Sequence, residues 1–120
     1  MCEKGRFAPS PSGRMHLGNL FSFLLAWLDA RAAGGRMVLR IEDLDPERTG
    51  EPWTSLLVED LRWLGLDWDE GYAAGGTCGP YCQRERTALY DEAFQTLKEL
   101  GAVYPLSLIH ISEPTRRRGI

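Results

Sequence analysis

Two short runs carry the side chains best suited to chemistry. The first is Arg6-Phe7-Ala8-Pro9-Ser10-Pro11-Ser12-Gly13-Arg14-Met15-His16-Leu17-Gly18-Asn19. Two prolines and a glycine between Pro9 and Gly13 exclude helix and central strand, so this stretch is a rigid loop. It feeds His16 and Gly18 into the start of an apolar helix. A helix N-terminus offers N–H groups without intrahelical partners and the positive end of the macrodipole, a setting that suits phosphate. His16 can donate to phosphate oxygens just before the helix begins. Gly18 has no side chain, so a flat base or ribose can approach the backbone there. The second run, Glu42-Asp43-Leu44-Asp45, gathers three carboxylates. The ordinary fate of such residues is a solvated acidic turn, with a metal site as the other option. A His-x-Gly taken alone recurs by chance, so the elements that hold it must carry the argument.

Gly5 to Ala8 is a short extended run ahead of the loop. From Gly18, the residues Leu20, Phe21, Leu24, Leu25, Trp27 and Leu28 predict a strongly apolar helix that stops at Gly34-Gly35. Met37 to Ile41 predicts a buried strand. Strand, loop, helix and strand in this order form a βαβ unit with parallel strands. A second helix is expected with Pro52 in its first turn and Trp53, Leu56, Leu57, Leu61 and Leu64 on one face, ending at Gly65. Leu66 to Tyr81 is rich in glycine and acid and reads as a loop. A third helix is expected from about Arg84, with Tyr90, Ala93, Phe94 and Leu97 on one face and Gly101 as its stop, and Val103-Tyr104 begins a further extended run. The four tryptophans Trp27, Trp53, Trp63 and Trp68 stand beside leucines at helical spacing and are expected in the core. Alternating elements favour an α/β fold with a parallel, Rossmann-like sheet and flanking helices.

At 120 residues, 43% hydrophobic and 26% charged, the composition is that of an ordinary globular chain. A net charge of −3 points neither toward nor away from a nucleic-acid partner. No run approaches the about 20 apolar residues of a membrane span, and the first six residues show no secretory pattern. Cys2, Cys78 and Cys82 are too few and too uneven for a disulfide framework. A cytoplasmic location is expected.

The character of the chain changes at Leu106. The run Leu106-Ser107-Leu108-Ile109-His110-Ile111-Ser112-Glu113-Pro114-Thr115-Arg116 resembles, residue for residue, the translation of a transposase adapter used in sequencing libraries. Residues 106–120 are therefore expected to be a non-native tail behind a native segment, 1–105, and neither His110 nor the tail arginines are assigned a role.

The Arg6–Asn19 run resembles the Arg-Phe-Ala-Pro-Ser-Pro-Thr/Ser-Gly…His-x-Gly signature of glutamyl-tRNA synthetases, whose His-x-Gly is the class I "HIGH" motif. Leu39-Arg40-Ile41-Glu42-Asp43-Leu44-Asp45 is similar to the same family's Leu-Arg-Ile-Glu-Asp-Thr/Leu-Asp block. The resemblance implies the N-terminal part of a class I catalytic domain over residues 1–105. It implies that Arg6, Phe7, Ala8, Pro9 and Ser10 hold L-glutamate together with Glu42, which takes the α-ammonium. Pro9, Ser10, Ser12, Gly13, His16, Gly18 and Asn19 would form the ATP site, with His16 stabilising charge on the phosphate and Mg²⁺ carried on the polyphosphate. The implied reaction is attack of the glutamate carboxylate on the ATP α-phosphate, giving glutamyl-adenylate and pyrophosphate, then transfer to tRNA.

Asn19-Leu20-Phe21 in place of the family's Gly-Ala-Arg helix start, and Ser12 in place of threonine, resemble the short paralogue glutamyl-queuosine tRNA(Asp) synthetase. Either tRNA(Asp) or tRNA(Glu) is thus the implied acceptor, with the full-length glutamate-tRNA ligase as the alternative and a monomer expected. A non-enzymatic nucleotide- or amino-acid-binding paralogue is the reading from another class; the presence of both His16 and Glu42 argues against it. Zinc cysteines of the intact family would follow Tyr104-Pro105, where the tail begins. Cys78 and Cys82 fall short of four ligands, so no zinc site is expected in this chain.

Overall fold

The computed structural model describes residues 3–105. The tail at 106–120 lies outside the described residues. Two compact units divide the chain, one ending at Thr87 and the other beginning at Ala88. The first contains β1 (Lys4–Phe7), α1 (Leu17–Ala32), β2 (Arg36–Leu39), α2 (Trp53–Trp63), β3 (Glu70–Gly71) and a 3-10 turn over Gln83–Arg86. The second is dominated by α3 (Thr87–Glu99), none of whose side chains is buried.

The sheet is parallel throughout, in the order β1-β2-β3. Phe7 aligns with Leu39 and Val38 with Glu70. Along β2 the burial alternates, with Met37 and Leu39 fully enclosed, because successive side chains leave opposite faces of a strand. Phe7, Met37, Leu39 and Ile41 from the sheet meet Ala30 of α1 and Leu57, Val58 and Leu61 of α2 to form the core. Helix α1 lies close over β1 because position 5 is glycine: a Cβ there would meet the Met37 sulfur and stand 2.8 Å from Ala30 Cβ. A polar clamp fixes the far end of α1. Arg31 pairs with Asp67 and Asp69, each at 2.8 Å, and Trp27 Nε1 donates to Asp67 at 2.8 Å. Both aspartates are held below the ordinary carboxylate range. For Asp67 the Arg31 hydrogen bond is the main cause, and for Asp69 it is the Met37 backbone N–H.

Several expectations need correction. The predicted strand over 37–41 stops at Leu39, and Ile41 forms a separate bridge with Cys82. The expected loop over 66–81 contains β3, two residues long and specified by its pairing with β2 rather than by any local pattern. The buried face of α2 is Thr54, Leu57, Val58 and Leu61. Trp63, two residues beyond Leu61, therefore points away from it and is 86% exposed. Helix α1 is strongly apolar, yet Ala30 is its one buried residue among those described, and Leu17 and Phe21 are 81% and 59% exposed. Among the described residues no strand follows β3, so Val103-Tyr104 adds none.

Candidate active site

The proline-rich loop is held by backbone bonds that continue the β1–β2 ladder. Arg40 N–H donates to the Phe7 carbonyl at 2.9 Å, Glu42 N–H to Pro9 at 2.9 Å, and Gly50 N–H to Pro11 at 3.2 Å. Prolines cannot donate but can accept, so Pro9 and Pro11 stiffen the loop without breaking this series. Pro9 and Pro11 are themselves buried.

Beyond the loop, His16 caps α1. Its backbone is extended (φ −93°, ψ 164°), and its Nδ1 accepts the Gly18 N–H at 3.1 Å. With Nδ1 accepting in this contact, Nε2 is the ring nitrogen left to donate. Gly18 makes this contact possible. A Cβ at position 18 would stand 3.0 Å from His16 Cε1 and 3.1 Å from Nδ1. The helix start is therefore less open than the sequence implies. The Gly18 N–H is taken by the imidazole, and the Asn19 and Leu20 N–H groups reach the His16 carbonyl at 3.0 and 3.3 Å.

Loop and helix enclose a cleft of about 460 Å³ lined by Ala8, Pro9, Ser10, Ser12, Gly13, Arg14, Met15, His16, Asn19 and Phe23. Seven of the residues expected at the site are thus brought together. Four are not. Phe7 is fully enclosed in the core, its ring 5.3 Å from that of Phe23, so it has no side-chain surface to offer. Gly18 borders a separate apolar groove of about 590 Å³ with Leu17, Leu20, Phe21, Leu24, Leu64 and Leu66. Arg6 is exposed on β1, and Glu42 is half-buried and joined to the cleft through Pro9. Arg14, Met15 and Phe23 line the cleft without having been singled out. Arg14 had a legible signal, a cation two residues before His16 inside the motif; its partner, Asp60 on α2 at 2.9 Å, had none.

The acidic run is not a uniformly solvated turn. Asp43 is 6% exposed and accepts both the Arg84 N–H and Nε–H at 3.1 Å, locking the segment after Cys82 onto the end of β2. Asp45 is exposed and accepts the Glu47 N–H at 3.1 Å. Among the described residues, no three His, Cys, Asp or Glu side chains stand together as a metal site. Burial, then Asp43 and Glu85, push the Cys82 thiol up to about 11, which makes it a poor nucleophile. No described helix is long and apolar enough to cross a membrane.

Residues 4–107 match the family described as "tRNA synthetases class I (E and Q), catalytic domain". A glutamyl-Q tRNA(Asp) synthetase of Nitratidesulfovibrio vulgaris is 55% identical over 102 residues, covering 85% of this chain and 32% of that protein. One of Symbiobacterium thermophilum is 57% identical over 101 residues, covering 84% and 31%. Glutamate–tRNA ligase 2 of Acidithiobacillus ferrooxidans is 52% identical over 101 residues, covering 84% and 21%. The crystal structure of a glutamate tRNA ligase from Elizabethkingia meningosepticum in complex with its amino acid superposes with a TM-score of 0.76 at 38% identity, covering 80% of this chain and 19% of that one. The chain thus spans about a third or less of the length of these relatives. With both motif blocks on one parallel sheet and a match over residues 4–107, the chain belongs to the family of class I tRNA synthetase (E and Q) catalytic domains.

Proposed function

We propose that this chain supplies the ATP- and glutamate-binding edge of an enzyme that activates L-glutamate as glutamyl-adenylate and transfers it to tRNA. The observation that carries the reading is the bond from Glu42 N–H to the Pro9 carbonyl at 2.9 Å, which joins the two motif blocks beside one cleft. In this reading Ser10, Ser12, Gly13, His16 and Asn19 line the nucleotide site, and Gly18 seats the His16 ring. Arg6, with the loop from Ala8 to Ser10, holds the glutamate carboxylates, and Glu42 pairs with the α-ammonium. Phe7 contributes by packing. ATP brings the reacting α-phosphate and the leaving pyrophosphate, and Mg²⁺ travels on the polyphosphate, since no described carboxylate lines the cleft. The chain's own part is to orient the phosphates and to present the Nε2–H of His16 to developing negative charge, with no covalent nucleophile.

The glutamyl-queuosine type, acting on tRNA(Asp) as a cytoplasmic monomer, is favoured by Ser12 and Asn19-Leu20-Phe21 and by the 55% and 57% identities to glutamyl-Q tRNA(Asp) synthetases. The alternative, a glutamate–tRNA ligase acting on tRNA(Glu), is supported by the 52% relative. Residues 1–105 form the native part under either reading, with 106–120 foreign to it. The 120-residue chain is expected to be nearly inactive alone, because catalysis by positioning needs a complete site. Glutamate-dependent ATP–pyrophosphate exchange by the intact protein, followed by charging of purified tRNA(Asp) and tRNA(Glu), is the test. Exchange with charging of tRNA(Asp) is expected. Charging of tRNA(Glu) alone selects the alternative, and absence of exchange rejects both.

A further inference from the structure

We propose that Arg14 binds the polyphosphate of the nucleotide and that Asp60 aims it, an inference that rests on the nucleotide reading of the cleft. Among the described residues lining that cleft, Arg14 alone carries a full charge. Two of the N–H groups at this helix start are already taken within the chain. The Gly18 N–H is bound to His16 Nδ1 at 3.1 Å and the Asn19 N–H to the His16 carbonyl at 3.0 Å. Holding a chain of phosphates therefore falls largely to side chains, and His16 offers one donor, Nε2–H.

Arg14 has the chemistry for the task. A guanidinium presents five N–H donors in a rigid fork that fits phosphate oxygens. Its Nη2 donates to Asp60 Oδ1 at 2.9 Å, and the side chain remains 65% exposed, so donors beyond that contact stay reachable from the cleft. Asp60 stands on the rigid helix α2, 46 residues along the chain, and is itself 26% exposed. An exposed ion pair of this kind contributes little to stability. Its consequence is that the Arg14 head is tethered to α2, while the loop that carries Arg14 is fixed by the bonds at Pro9 and Pro11. Asp60 is thus a positioning residue, and Arg14 is the group that touches the ligand.

The test is equilibrium binding of ATP, inorganic tripolyphosphate and adenosine to the intact protein, with Arg14→Ala and Arg14→Lys beside the wild type. Far-UV circular dichroism checks that each variant retains the fold. Arg14→Ala is expected to weaken ATP and tripolyphosphate about tenfold or more, the value of one charge-assisted hydrogen bond, and to leave adenosine unchanged. Arg14→Lys should recover part of the loss through its point charge, and wild-type affinity for both phosphates should fall with added salt. Wild-type affinity for ATP and tripolyphosphate in a folded Arg14→Ala variant would overturn the proposal while leaving the nucleotide site standing. An intact wild-type protein that binds neither ATP nor tripolyphosphate would overturn both together.

Discussion

The backbone nitrogen of Glu42 lies 2.9 Å from the Pro9 carbonyl oxygen, so the acidic run after β2 and the proline-rich loop share a hydrogen bond. The bond uses main-chain atoms on both sides. The position of Glu42 is therefore set by strand register and is independent of its own side chain, which stays available for a ligand.

The Glu42→Ala variant should accordingly fold like the wild type and lose function selectively. If Glu42 pairs the glutamate ammonium, the loss of one partner from a desolvated charge pair costs about 2–5 kcal/mol. Exchange kinetics on the intact protein should show a steep rise in KM for glutamate with ATP binding retained. Values within about 0.5 kcal/mol of wild type would mark Glu42 as an ordinary surface residue.

His16 does two jobs that can be separated. Its Nδ1 caps α1, and its Nε2–H is the donor available to phosphate. His16→Ala loses both, so the helix should be weakened by about 1 kcal/mol, and kcat of the intact protein should fall by about 3 kcal/mol of barrier with little change in KM for glutamate. Asparagine is a strong N-cap, so His16→Asn should recover the thermal stability without the imidazole donor. Recovery of stability together with kcat in that variant would show that His16 acts only as a cap.

Gly18→Ala tests the room that the ring needs. Alanine is favoured over glycine within a helix by about 1 kcal/mol. Against that, its Cβ would crowd His16 Cε1 and Nδ1 at 3.0 and 3.1 Å and displace the cap. The two effects are similar in size, so the melting temperature should change little. The ring nitrogens of His16 should nevertheless lose their single tautomer in ¹⁵N spectra. An unchanged tautomer would mean that the ring does not depend on Gly18.

Much of this was legible in the sequence, for reasons that differ by element. Helix α1 and strand β2 announce themselves through the runs Leu20 to Leu28 and Met37 to Ile41, but only in β2 do pattern and burial coincide, at Met37 and Leu39, whereas Phe21, Leu24, Leu25 and Leu28 of α1 stay exposed. Strand β3 has no such pattern. Two residues acquire strand geometry because Leu39 and Val38 stand ready to pair with them. Within the site, His16 and the loop carry their identity in residue type and spacing. Phe7 lies in the same motif but faces the core because it follows Arg6 on a strand, where neighbours alternate sides. The anchoring of Arg14 by Asp60 and of Asp43 by Arg84 spans 46 and 41 residues, and no local pattern encodes such distances.

The last expectation concerns acid. Glu70 on β3 is 3% exposed and accepts Tyr81 Oη–H at 2.7 Å and Lys4 Nζ–H at 3.0 Å. The Tyr81 hydrogen bond, then that from Lys4, lowers its carboxyl from 4.5 to about 2. A carboxylate whose pKa is depressed by folding binds fewer protons in the native state than in the unfolded one, so stability rises with pH through this window. The Glu70 contribution is complete above about pH 4.5 and is lost as pH falls toward about 2. Glu70→Gln cannot titrate. It keeps an oxygen that can accept from Tyr81 while losing the charge that pairs with Lys4. The variant should be less stable than wild type at neutral pH, and the difference should shrink as the solution is acidified through that interval. Chemical denaturation of both proteins at intervals between pH 7 and pH 2 measures the convergence. Parallel stability curves across that range would remove Glu70 from the account of acid sensitivity.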